Sequence, residues 1–140
     1  MAYFAEIDES NLVIRVLALN NNNVLDSAGN EVESVGAKYL SDGFGGTWKQ
    51  TSYNTRSGVH HDGDGKPDDG IALRANYCGK GWVYNEEHDI FHPQQPFPSW
   101  TLDTIKGQWN PPVPMPDDAG PEKRYTWNED DQQWDEVDMS

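Results

Sequence analysis

The sequence has little of what usually holds a small protein together. Its single cysteine, Cys78, excludes an intramolecular disulfide and a cysteine-based zinc site. Leu, Ile, Val and Phe make up only 25 of the 140 residues, and the formal charge is −14, a combination typical of disordered chains. The ten basic residues are scattered, so neither nucleic acid nor an anionic membrane is an expected partner.

No pattern in the sequence predicts a targeting or a membrane-spanning segment. Residues 1–9 have neither the basic start nor the apolar run of a signal peptide, and no stretch approaches 18 consecutive apolar residues. We therefore expect a protein made in the cytoplasm, and we expect Cys78 to be a buried, unreactive thiol.

Aromatic residues are plentiful and oppose disorder. The chain has six Trp and six Tyr, and each such side chain buries about 150–250 Å² with little loss of rotamer freedom. Because 140 residues suit one domain, we expect a single ordered domain in which aromatic rings, rather than an aliphatic interior, provide the cohesion.

One spacing recurs along the chain, and four of its instances are interpreted as hairpins: an apolar residue, then Asp or Asn, then five residues, then another apolar residue. An Asp or Asn side chain can accept a hydrogen bond from the backbone two residues on and so start a turn, and the returning strand places its apolar residue beside the first. The spacing therefore predicts a series of β-hairpins. The four pairs are Ile7 with Ile14, Tyr84 with Phe91, Leu102 with Trp109, and Trp127 with Trp134.

The remaining pattern predicts a mainly β protein with one short helix over residues 33–41 and a further strand over residues 47–53. The arm from Leu12 to Leu19 is nearly continuous in apolar residues and is predicted to be the central, buried strand. We divide the chain into a β-rich core at 1–80 and aromatic hairpins with an acidic end at 81–140, as one domain or as core and extended arm. Segments 93–98 and 111–116 hold most of the prolines and suit extended, polyproline-like spacers.

The loop over residues 60–70 is rich in aspartate. Asp62, Asp64 and Asp68, with Asp69 beside them, follow a D-x-D-G-x-x-D spacing whose carboxylates suit calcium. In an EF-hand register, however, His60 and Ile71 replace two of the strongest ligands. The alternatives are a partial calcium site and a solvated acidic turn, and no other cofactor is expected.

No residue pattern predicts catalysis. The four histidines are His60, His61, His88 and His92. His88 and His92 are four residues apart, but they fall on a predicted hairpin rather than a helix, so they are not expected to share a face as two metal ligands on a helix do. The chain has no nucleophile elbow, no P-loop and no dinucleotide fingerprint. We therefore expect a protein that is not an enzyme.

Tryptophans are the candidate interaction residues. They could stack on sugar rings, or they could pack against their hairpin partners or a neighbouring subunit. The residues concerned are Trp82, Trp100, Trp109, Trp127 and Trp134.

Segments along nearly the whole chain resemble a family of small proteins encoded by marine tailed phages, in particular the T4-like phages of cyanobacteria. The Phe-Gly-Gly-Thr-Trp segment starting at Phe44 is fairly specific for this family. The matching segments are 3–9, 13–17, 44–55, 72–77, 81–84, 96–100, 112–116 and 125–129.

The resemblance implies a virion structural protein. Small size, high acidity and an aromatic second half favour a head decoration or cement subunit that binds other virion proteins, such as the major capsid protein, in many copies. A tail, neck or fibre accessory protein is the competing position on the particle. A calcium-assisted, glycan-binding attachment module and a fibre-assembly chaperone are the alternatives from other classes.

Overall fold

The computed structural model describes residues 1–137, which form two compact units. Unit 1 comprises residues 1–94 and 104–108, and unit 2 comprises, among the described residues, 95–103 and 109–137. The described residues are mainly β, with small antiparallel hairpins and a single α-helix. The predicted fold class, a hairpin-rich β protein with one short helix, is confirmed.

Unit 1 is built on a three-stranded antiparallel sheet, with the strand order β2-β1-β3. The α-helix α1 lies between β2 and β3 in sequence, and short hairpins follow β3. The elements are β1 (Ala2–Ile7), β2 (Val13–Leu19), α1 (Glu33–Phe44), β3 (Thr47–Thr51), β4 (Thr55–Arg56), β5 (Val59–His60), β6 (Val83–Asn85) and β7 (Ile90–His92).

Strand β1 contributes to a core on each face of the sheet, because successive side chains of a strand point to opposite faces. Ala2 and Phe4 lie in a cluster with Leu40 of the helix and Trp48. Ala5 and Ile7 lie in a second cluster, which contains Val13, Cys78, Tyr84 and Phe91. The expectation of an aromatic rather than aliphatic interior is therefore wrong for unit 1, whose core is mixed.

The prediction that residues 12–19 form the central strand is also wrong. Strand β1 is central, since both β2 and β3 pair with it, and β2 lies at an edge. A register shift between Glu6 and Ile7 pairs Ile7 with Val13, and Ile14 is exposed instead of facing Ile7 as predicted. The predicted helix is present and ends at Phe44 instead of residue 41.

The helix approaches the sheet closely at Gly36. A Cβ atom at this position would overlap the ring of the fully buried Phe4 and would lie 2.6 Å from Cγ1 of Val24. Glycine is required here by space, although it is a poor helix former.

Cys78 is buried, as predicted. Removal from water raises the pKa of its thiol to about 11, so the side chain is a neutral thiol near neutral pH.

Three of the four predicted hairpins are present in the structure. Two of them have the predicted residue pairs, and the third has its two strands at the predicted positions. Tyr84 pairs with Phe91 and Trp127 pairs with Trp134. Strands β8 (Thr101–Asp103) and β9 (Gln108–Asn110) form the hairpin predicted around Leu102 and Trp109, and β10 (Tyr125–Asn128) pairs with β11 (Gln133–Glu136).

Asp and Asn side chains cap the turns, but of Asp8, Asn85 and Asn128 only Asp8 accepts from the residue two positions on, as predicted. Oδ1 of Asp8 accepts hydrogen bonds from the N–H groups of Ser10 and Leu12, at 2.8 and 3.0 Å. Asn85 and Asn128 each accept from the N–H group three residues on. The side-chain oxygen thus closes the turn that starts each of these hairpins.

Within residues 1–137, no helix combines the length and the apolar composition needed to cross a bilayer.

Candidate functional site

Three of the five predicted tryptophans meet in unit 2. Trp127 and Trp134 face each other across the β10–β11 hairpin with ring centroids 5.1 Å apart, and Trp100 lies 5.9 and 6.0 Å from them. All three pairs are edge-to-face, the arrangement that the charge distribution of aromatic rings favours. We call Trp100, Trp127 and Trp134 the tryptophan cluster.

Glu129 fixes the cluster to the preceding segment. Its carboxylate accepts hydrogen bonds from the N–H and the hydroxyl of Ser99 and from Nε1 of Trp127, the last at 3.2 Å. The Ser99 hydrogen bonds, followed by that from Trp127, hold the pKa of Glu129 below its usual value. An ionised carboxylate is therefore part of the site's construction.

The proline-rich segment 111–116 lies against Trp134, whose Nε1 donates a 2.8 Å hydrogen bond to the carbonyl oxygen of Val113. Proline rings lack an N–H group, so the segment offers carbonyl oxygens and apolar surface rather than donors. The indole of Trp134 uses both.

A groove of about 420 Å³ lies beside this contact. Its walls are mainly apolar, and Met115 is 46% exposed. The lining residues are Trp100, Asn110, Pro111, Pro114, Met115 and Trp134. An open groove of aromatic, proline and methionine side chains can bind an apolar protrusion of another molecule.

Trp100 carries a local cost. Its indole N–H is buried and has no acceptor within hydrogen-bond distance in the described part of the chain. An unsatisfied buried donor costs about 1–3 kcal/mol, so this position is not optimised for stability alone.

The other two predicted tryptophans lie elsewhere. Trp82 belongs to unit 1, where it packs against the cluster containing Ile7, Cys78 and Phe91. Trp109 is half-buried in β9. Sequence reasoning missed Pro111, Pro114 and Met115 as walls of the groove, although the prolines that follow a tryptophan hairpin were a visible signal.

The aspartate-rich loop is organised as a turn. Oδ1 of Asp62 accepts from the N–H groups of Asp64 and Lys66, and Asp26 makes the same pair of bonds to Ala28 and Asn30. Asp68 accepts from the N–H of Gly70 and contacts Nδ1 of His60 at 2.6 Å, and all four aspartates of the loop are exposed. The loop thus repeats the turn chemistry of Asp8, and calcium binding stays a prediction.

The histidines make separate contacts. His60 pairs with Asp68, Nδ1 of His61 contacts the Asn54 carbonyl oxygen at 3.3 Å, and the N–H of His88 bonds Asn85. Among residues 1–137, no three His, Cys, Asp or Glu side chains are grouped as metal ligands.

Comparison of the chain with protein-family models, with curated proteins and with solved structures gave no match.

Proposed function

We propose that this protein is a non-enzymatic structural subunit of a phage particle, a head decoration or cement protein that docks through the groove beside the tryptophan cluster. The observation that carries the proposal is the open apolar groove between the indoles of Trp100 and Trp134 and the proline-rich segment. The resemblance of the sequence to marine phage proteins is the reason for proposing a phage particle as the assembly to which the protein belongs.

The composition of the groove supports a protein partner. Tryptophan is enriched among the residues that dominate binding energy at protein interfaces, and methionine adapts its shape to the partner. The three rings pack edge to face in one cluster instead of presenting a flat platform, which suits contact with a partner's apolar side chains better than stacking on a sugar.

Charge selects among partners. Residues 117–140 hold nine acidic residues against Lys123 and Arg124. A partner surface that is neutral or basic around its apolar contact avoids repulsion by this segment, and steering by opposite charge raises the association rate. On this proposal, the major capsid protein presents such a surface and the protein binds in many copies.

The unsatisfied indole of Trp100 also supports a binding role. Trp100 lines the groove while its indole N–H has no acceptor among the described residues, an arrangement that a role of its exposed part in binding explains.

Particle reconstitution tests this proposal. Particles of the encoding phage, prepared without this protein, should bind the purified chain, and Met115→Asp should weaken binding at least about tenfold because it puts a charge into an apolar contact. Ile71→Asp is the matched control, since Ile71 is 84% exposed in unit 1 and its substitution should leave binding unchanged. Equal binding by both variants would contradict the use of the groove.

Mass spectrometry of purified particles tests the position. A decoration protein is present in hundreds of copies relative to the capsid protein, whereas a tail, neck or fibre accessory protein is present in tens or fewer. Absence from the finished particle would reject a structural role and favour an assembly chaperone.

A further inference from the structure

A second, chemically different depression lies in unit 1. It has a volume of about 200 Å³ and combines two tyrosine rings with carboxylate, amide and hydroxyl groups. We call it the tyrosine hollow. Its side chains relevant here are those of Tyr3, Glu31, Gln50, Ser52, Tyr53 and Asn54.

Tyr53 supplies an exposed ring that is nevertheless held in place. The side chain is 65% exposed, yet its ring stacks on Tyr3 with centroids 5.7 Å apart and meets Tyr77 edge-on at 5.3 Å. Tyr3 belongs to the central strand β1 and itself meets Tyr77 at 5.6 Å. Because this ring is exposed to water but already held in place, a flat ligand that covers it causes little further loss of conformational entropy.

The polar side of the hollow is equally fixed. Nε2 of Gln50 donates to Oε1 of Glu31 at 2.9 Å. Two hydrogen bonds hold the backbone of Gln50. Its N–H donates to Oε1 of Glu33 at 2.7 Å, and its carbonyl oxygen accepts from Nη1 of Arg74 at 2.9 Å. The amide of Gln50, on strand β3, and the carboxylate of Glu31, which lies in an isolated bridge with Leu25, therefore present further donor and acceptor positions from paired backbone.

We propose that the tyrosine hollow binds one pyranose ring of a neutral or amino sugar, with the C–H face of the sugar on Tyr53 and its hydroxyls on Glu31 and Gln50. The volume is below the ~300–1,000 Å³ of pockets for drug-sized molecules, which suits a single-ring ligand. The Glu31 carboxylate and the net charge of −14 disfavour acidic sugars and phosphates.

This inference does not depend on the proposed function. It uses other residues than the groove of unit 2, and it needs no calcium. Either proposal can fail while the other holds, because Met115 and Tyr53, whose substitutions decide the particle-binding and the sugar-binding test respectively, lie in different units.

Amide-resolved NMR titration of the full chain tests the inference. Methyl β-glucopyranoside and glucosamine should shift the amide signals of Ser52, Tyr53 and Asn54 saturably, with a Kd on the order of 1 mM for a ligand of this size. Glucuronate should bind about fivefold more weakly, because its carboxylate faces Glu31 in water.

Variants separate binding from a general surface effect. Tyr53→Ala should weaken binding about tenfold through loss of the ring contact, and Tyr39→Ala should not, since Tyr39 is an exposed tyrosine on α1 outside the hollow. Glu31→Gln should remove the discrimination between glucosamine and glucuronate. The inference is overturned if none of the three sugars gives a saturable shift, or if Tyr53→Ala leaves the shifts unchanged.

Discussion

The two units bury their apolar side chains in different ways. Unit 1 places Phe4, Val13, Val24 and Leu40 at 2% exposure or less between a sheet, a helix and a hairpin. Unit 2 has one buried residue among those the structure describes, Trp127, which is 8% exposed. Many buried side chains each contribute to the core of unit 1, whereas the packing of unit 2 depends on the three indole rings of the tryptophan cluster.

The difference follows from how much chain each unit has to enclose a side chain. A short segment cannot surround several aliphatic residues, because the buried fraction of a chain rises with its size. Indoles that pack edge to face gain contact from one another and need less enclosure by backbone. Such a cohesive cluster also leaves rings at the surface, where they form the groove.

The comparison is tested most strongly by removing the central ring of unit 2. Trp127→Ala should lower the free energy of unfolding of this unit by about 3–5 kcal/mol, since it deletes both edge-to-face contacts and the bond to Glu129. The near-ultraviolet circular dichroism arising from coupled indoles should disappear.

Trp82→Ala is the matched control for this experiment. It removes the same side chain from the edge of a core in unit 1, so the coupled-indole signal should persist. Retention of that signal in the Trp127 variant would show that the cluster does not organise unit 2.

A smaller effect is expected when one methyl group is added to the core of unit 1. Gly36→Ala should destabilise by about 1–3 kcal/mol, because overlap with Phe4 and Val24 exceeds the gain of about 1 kcal/mol in helix propensity. Urea unfolding followed by far-ultraviolet circular dichroism measures the change.

Gly43→Ala provides the comparison on the same helix. No atom lies within 4 Å of the added Cβ, so this variant should be unchanged or slightly more stable. Similar losses in both variants would mean that propensity or capping, and not the tight contact with the sheet, governs α1.

The smallest effect concerns pH. The folded-state pKa of Glu129 lies below its usual value of 4.5, so its stabilising contribution is present above about pH 4.5 and is lost as the pH falls through the lowered value. The coupled-indole signal should decline over that acidic range in the wild type, and Glu129→Gln should show no corresponding decline.

Asp135→Asn controls for other acids in unit 2. Asp135 also has a lowered pKa, from its hydrogen bonds with Asn128 and Gln133. Its substitution should leave the acid-dependent decline in place. If it abolishes the decline, the titrating group is not Glu129.

The sequence predicted features that depend on neighbours in the chain. In the pairs Tyr84 with Phe91 and Trp127 with Trp134, the two residues are seven positions apart in the sequence. An Asn side chain in each turn defines the start of the hairpin. Local chemistry was sufficient for these elements and for the helix that begins at Glu33.

Features set by distant partners were not predictable in this way. Residues 12–19 were expected at the centre of the sheet because they are the most apolar run, yet β3 returns to pair with β1. The groove likewise depends on the contact of Trp134 with Val113, 21 residues away. Tryptophan positions identified the cluster, but only the fold identified its walls.

The buried thiol of Cys78 can report how often unit 1 opens locally. The side chain sits between the sheet and the β6–β7 hairpin and is the sole sulfhydryl of the chain. A disulfide reagent in solution can modify it only when that layer separates, so the rate of modification counts the openings of the hairpin from the sheet.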